Sequence, residues 1–123
     1  MEKPELLSPA GNFDSIKMAV MAGATAVYFG MKNFNARAKA ENFGADLPQA
    51  VAFAHMYGVK VYLTLNTLVE NSEIENLCES IKDAILAGVD AFIVQDFGVV
   101  NRLKNCFPQA IIHASTQMAV NNY

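Results

Sequence analysis

The sequence is poor in charge, in cysteine and in long apolar runs, and it has no tryptophan. Only 17% of its 123 residues are charged and the net charge is -3, so no chain-wide basic field exists to grip a nucleic-acid backbone, and any such contact has to be local. Cys78 and Cys106 stand far apart in no paired spacing. That excludes a disulfide framework and a closed zinc site of regular spacing. No stretch approaches the ~18 consecutive apolar residues of a membrane span. Met1-Glu2-Lys3-Pro4-Glu5 has no apolar run like an export signal, so a reducing cytoplasm is the expected compartment. No serine sits in a G-x-S-x-G elbow. Pro9-Ala10-Gly11-Asn12 stands where a dinucleotide-binding G-x-G-x-x-G would follow the first strand.

What is present is a repeat. Met21-Ala22-Gly23 leads into Ala26-Val27-Tyr28-Phe29-Gly30, Met56-Tyr57-Gly58 into Val61-Tyr62-Leu63-Thr64-Leu65, and Leu86-Ala87-Gly88 into Ala91-Phe92-Ile93-Val94. Each reads as a helix end, a glycine suited to the left-handed terminating position, and a strand of β-branched and aromatic residues. The glycines recur every ~30–35 positions, the length of one strand-helix-strand unit with a parallel crossover. Further strands at Pro4–Ser8 and Ala110–Ser115 complete an α/β chain of five parallel strands alternating with four helices. The helices are expected at about Phe13–Ala22 with Asn12 capping, at Leu47–Tyr57 with Asp46 capping, after a capping box at Ser72-Glu73-Ile74-Glu75, and at about Gly98–Cys106. This order suits a doubly wound sheet or part of a (β/α)8 barrel, and the missing glycine fingerprint favours the barrel. A closed barrel takes ~250 residues. Residues 1–123 are therefore expected to be a single partial domain, the N-terminal half of a TIM-type barrel from a longer chain.

Parallel strands place their C-terminal ends on one face, where Ser8, Asn66, Gln95, Asp96, His113, Ser115, Thr116 and Gln117 gather. The long connection from about Met31 to Ala45 adds Asn33, Asn35, Arg37, Lys39 and Asn42. Alternation along Ile111-Ile112-His113-Ala114-Ser115 directs His113 to the mouth, with Asp96 or Ser115 as its partner. Asn66 and Asp96 have an equally simple reading as cap and turn residues. His55 reads as a helix-surface or packing residue, Cys78 as part of an apolar stripe, and Glu73, Glu75, Glu79, Asp83 and Asp90 as a solvated acidic face. No metal ligands are expected. Arg37 and Lys39 among asparagines and Phe34 and Phe43 suit a phosphate, a carboxylate or a stacked base.

Glu5-Leu6-Leu7-Ser8-Pro9-Ala10-Gly11-Asn12, Ala26 to Gly30 running through Phe34-Asn35-Ala36-Arg37-Ala38 to Glu41-Asn42-Phe43, Leu65-Asn66-Thr67-Leu68, Asp90 to Gly98, and Ile112-His113-Ala114-Ser115-Thr116-Gln117 with Asn121 resemble, in order, the start of the collagenase-like peptidase family U32. The resemblance implies one of two activities. Some members are described as collagenases, and others hydroxylate a transfer-RNA wobble uridine, a ribosomal-RNA cytidine or the ubiquinone ring. It also implies that any iron–sulfur cluster, held by four cysteines, belongs to the remainder of the longer protein, with no cofactor in this stretch. Lacking an activated nucleophile pattern, the residues favour RNA hydroxylation over proteolysis, with RNA or a small anionic substrate as partner and a peptide as the alternative. His113 and Asp96 are then the catalytic candidates. Arg37, Asn42, Asn66, Ser115 and Gln117 are the substrate-binding ones. A non-catalytic scaffold is the third reading, and exposed strand edges are expected to promote self-association. Arg37→Ala in the full-length protein is expected to weaken substrate binding without disturbing the fold; unchanged affinity and turnover would remove that assignment.

Overall fold

The structure, a computed structural model, describes residues 2–31 and 46–121. Strands β1 (Leu7–Pro9), β2 (Ala26–Gly30), β3 (Lys60–Leu65), β4 (Ala91–Val94) and β5 (Ile112–Ala114) alternate with helices α1 (Phe13–Met21), α2 (Leu47–Met56), α3 (Ile74–Leu86) and α4 (Phe97–Cys106). Every strand pairs in parallel with the next, in the order β1-β2-β3-β4-β5. A doubly wound sheet reverses its order at a switch point, whereas a barrel adds each strand to the same side. The sequential order therefore selects the barrel reading.

The glycine repeat is what turns each helix into the following strand. Gly23, Gly58 and Gly88 have φ of +87°, +70° and +92°. In each case the next residue donates its N–H five positions back: Ala24 to Ala19 at 3.0 Å, Val59 to Ala54 at 3.0 Å and Val89 to Ala84 at 3.1 Å. This is the Schellman closure, which satisfies helix-end carbonyls and needs a residue without Cβ strain at the left-handed position.

Strand alternation separates two apolar layers. Val27, Phe29, Val61, Leu63, Leu65, Phe92 and Val94 face the helices and bury Ile16, Val51, Ala54, Leu77, Ile81 and Leu103. Ala26, Tyr62 and Ala91, with Tyr28 and Ile93, form a smaller cluster on the opposite, inner face. Phe13 and Phe53 pack with ring centroids 5.1 Å apart between α1 and α2.

The ends of elements depart from the sequence reading for local reasons. Asn12 and Asp96 have extended backbones and cap α1 and α4 with their side chains, but Asp46 already has helical φ and ψ and makes no side-chain cap bond. The capping box lies earlier than Ser72: Glu70 and Glu73 form it around a 3-10 turn, Asn71–Glu73, that leads into α3. The first strand begins at Leu7, because the preceding Leu6 N–H bonds to the Thr25 hydroxyl at 2.7 Å instead of to the ladder. Cys78 is half-buried, Cys106 is exposed, and both thiols are free. Among the described residues no helix is long and apolar enough to cross a membrane.

Asp90 does not belong to a solvated acidic face. Its Oδ2 accepts the Val61 N–H at 2.7 Å and contacts His55 Nε2 at 2.8 Å, so it ties β4 to the start of β3 and to the end of α2. The two bonds are unequal. The His55 and Asp90 side chains are 40% and 32% exposed, and such a pair contributes about 0–1 kcal/mol. The buried Val61 N–H, left without an acceptor, costs about 1–3 kcal/mol. Asp90→Ala is thus expected to destabilise the fold by about 1–3 kcal/mol and His55→Ala by less than about 1 kcal/mol, read from denaturant midpoints. Equal losses would show that the ion pair dominates.

Candidate functional site

The C-terminal strand ends form a common rim because every strand runs the same way. Pairing aligns Gly30, Thr64, Ile93 and His113 in one row just below that rim. Tyr28, Tyr62 and Ala91 form the row beneath, and Ala26 and Lys60 the lowest. Asn66 and Gln95 follow the ends of β3 and β4, each half-buried.

His113 is exposed on the inner face, while its neighbour Ile112 packs toward the helices. Its ring meets Tyr62 edge-on, with centroids 4.9 Å apart and planes at 77°. No hydrogen bond or ion pair joins His113 to Asp96 among the described residues. Asp96 is engaged elsewhere: Oδ1 accepts the Gly98 and Val99 N–H groups at 2.6 and 3.1 Å, and Oδ2 accepts the Val69 N–H at 3.3 Å. The carboxylate therefore holds the start of α4 and the chain after β3. Ser115 is 6% exposed. Its N–H donates to Val94 at 2.9 Å, and its hydroxyl oxygen accepts from the Gln117 N–H at 3.3 Å, capping a 3-10 turn over Thr116–Met118 with Gln117 on the surface. Ser8 has only a long hydroxyl contact, 3.4 Å, to the Pro9 carbonyl. Arg37 and Asn42, with the rest of the long connection, lie outside the described residues.

The structure adds Glu5, Lys60 and Tyr62 to the inner face. The Tyr62 hydroxyl donates to Glu5 Oε1 at 2.7 Å, and Lys60 Nζ lies 3.2 Å from Glu5 Oε2. Alternation signals this arrangement, since Lys60, Tyr62 and Thr64 share a face opposite Val61, Leu63 and Leu65. The apolar character of the whole run concealed it, by suggesting a strand buried evenly on both sides. Burial and then the bond and charge of Glu5 push the Tyr62 phenol up to about 12. The same hydrogen bond, aided by Lys60 and by a positive charge on His113, holds Glu5 below the usual carboxylate range against the opposing effect of burial.

The signs follow from linkage. Glu5 contributes stability above its unfolded pKa and loses it as pH falls through the lowered folded value. Tyr62 contributes below its unfolded pKa of ~10 and loses that contribution as pH rises toward the folded value. Alkaline titration followed by phenolate absorbance is expected to show a step at about 12 that Tyr62→Phe removes. A titration indifferent to that substitution would contradict the Tyr62–Glu5 bond.

Two cysteines do not supply the four thiolates of an iron–sulfur cluster, and no three His, Cys, Asp or Glu side chains converge as metal ligands among the described residues.

Comparison with known proteins agrees with the barrel. Over 99% of the chain, the fold matches the solved U32 peptidase Mk0906 with a TM-score of 0.75, at 13% identity and over 54% of that chain. That likeness concerns the fold alone. In sequence the chain is 44% identical to the 23S rRNA 5-hydroxycytidine C2501 synthase of Escherichia coli, over 92% of this chain and 17% of that protein. It is 36% identical to tRNA hydroxylation protein P1 of Bacillus subtilis, over 99% and 29%. It is 40% identical to an uncharacterized protease of Methanocaldococcus jannaschii, over 96% and 29%. The chain thus spans less than a third of the length of these curated relatives. Residues 11–123 match Peptidase family U32, and the chain belongs to that family.

Proposed function

We propose that the protein containing this barrel segment acts in RNA hydroxylation, with a pyrimidine base presented to the strand-end rim in the cytoplasm. The observation that carries this reading is the likeness to the rRNA 5-hydroxycytidine synthase and the tRNA hydroxylation protein, at 44% and 36% identity over nearly the whole segment. The rim is compatible with a planar ligand. His113 faces the interior from the upper row, next to Ile93, and the small residues Gly30 and Thr64 farther along that row leave room above the inner layer. In this proposal His113 is the proton-carrying group that meets the base. Asn66, Ser115 and Gln117 orient the ligand, and Arg37 and Asn42 hold an anionic part of the substrate. Asp96 contributes through the backbone it anchors, since both of its oxygens are occupied by N–H donors.

Proteolysis is the second reading, favoured by the 40% identity to the relative named as a protease. Against it, neither described histidine is bonded to a serine: His55 is held by Asp90, and His113 meets Tyr62 edge-on.

Mass spectrometry of nucleosides from rRNA and tRNA of cells with and without the gene tests both. Loss of one hydroxylated pyrimidine, restored by the wild-type gene and not by His113→Ala, is the expected outcome. Unchanged nucleosides, together with gelatin cleavage by the purified full-length protein, would establish the protease instead.

A further inference from the structure

We propose that Tyr62 is a positioning residue that sets the orientation of the His113 imidazole at the rim, through a column of contacts anchored on Glu5. The inference rests on the reading of His113 as a group that faces substrate. β3 and β5 are not neighbours, because β4 lies between them. The residue that β4 places beside Tyr62 is Ala91. A methyl group there leaves the space through which the phenol ring of one strand reaches the imidazole two strands away, at 4.9 Å. Contact between alternate strands is how a β/α barrel builds its interior layers. Here the layer ends on a histidine.

Tyr62 is itself held from below. The residue is 4% exposed, and its hydroxyl is bonded to Glu5, whose other oxygen lies against Lys60. His113 is held differently. Its side chain is exposed and has no hydrogen bond to any described residue, so among the described residues the ring contact with Tyr62 restricts its torsion. The column therefore runs from Glu5, ahead of the first strand, through Tyr62 to an imidazole that keeps both nitrogens available to a ligand. Displacing a reacting group by ~1 Å costs on the order of 100-fold in rate, which gives the contact a kinetic consequence out of proportion to its strength.

The test uses the full-length protein and two substitutions. Tyr62→Leu removes the ring. Tyr62→Phe keeps the ring and removes the anchor. Circular dichroism checks folding, RNA hydroxylation gives kcat and KM, and the side-chain nitrogen resonances of His113, assigned by their loss in His113→Gln, report on the imidazole directly. Tyr62→Leu is expected to lower kcat roughly 10- to 100-fold, to leave KM for RNA within about 2-fold, and to shift the His113 resonances. Tyr62→Phe is expected to do the same to a smaller extent. A folded Tyr62→Leu protein with unchanged His113 resonances overturns the proposal, whatever its activity. Should Tyr62→Leu fail to fold, Tyr62→Phe and Glu5→Gln must still move those resonances, and silence in both overturns it. If the wild-type protein hydroxylates no RNA while the resonances move, the positioning role stands and the RNA reading falls.

Discussion

Parallel pairing of each strand with the next in sequence is the constraint from which the remaining features follow. It aligns all C-terminal strand ends on one rim, and through the twofold alternation of side chains it divides each strand between a helix-packed layer and an interior one. A reversed order would have sent β1 and β5 to positions from which Glu5, Tyr62 and His113 could not form one column. The Schellman turns at Gly23, Gly58 and Gly88 sustain the pairing, because each returns the chain to the sheet with the same geometry.

The two ends of the sheet carry different polar chemistry. At the N-terminal ends, Asp90 binds the Val61 N–H and His55, and Glu5 binds Lys60 and Tyr62; these contacts join neighbouring units and are satisfied within the fold. At the opposite end, Asp96 and Ser115 are also satisfied, as caps, whereas His113 is exposed without a hydrogen bond to any described residue. Charged or polar groups bound internally are positioning devices. A group left open on a barrel's C-terminal side is the one suited to meeting a ligand.

The relatives carry two kinds of name on one fold. Fold likeness at 13% identity cannot choose between a peptidase and a hydroxylase, since one barrel hosts many chemistries. Several relatives of this chain are named for RNA hydroxylation and one for proteolysis. Among the described side chains no serine–histidine pair forms, and Asp96 is committed to three backbone donors.

The sequence alone determined the repeat, the class and the rim. Glycines at helix ends and apolar runs after them are local signals, legible because left-handed backbone and strand propensity depend on a few adjacent residues. It also placed a cap at Asn12 and offered capping for Asp96 as the alternative to a catalytic role, whereas Asp46, also expected to cap, has a helical backbone and makes no side-chain cap bond. Only the tertiary structure decided that Asp90 is a tie rather than a surface charge, that Asp96 bonds to backbone N–H groups and not to His113, and that Glu5 and His113 meet the same tyrosine from opposite ends. Those facts depend on residues tens of positions apart being brought together by strand register, and neither composition nor periodicity encodes which side chain on one strand faces which on the next but one.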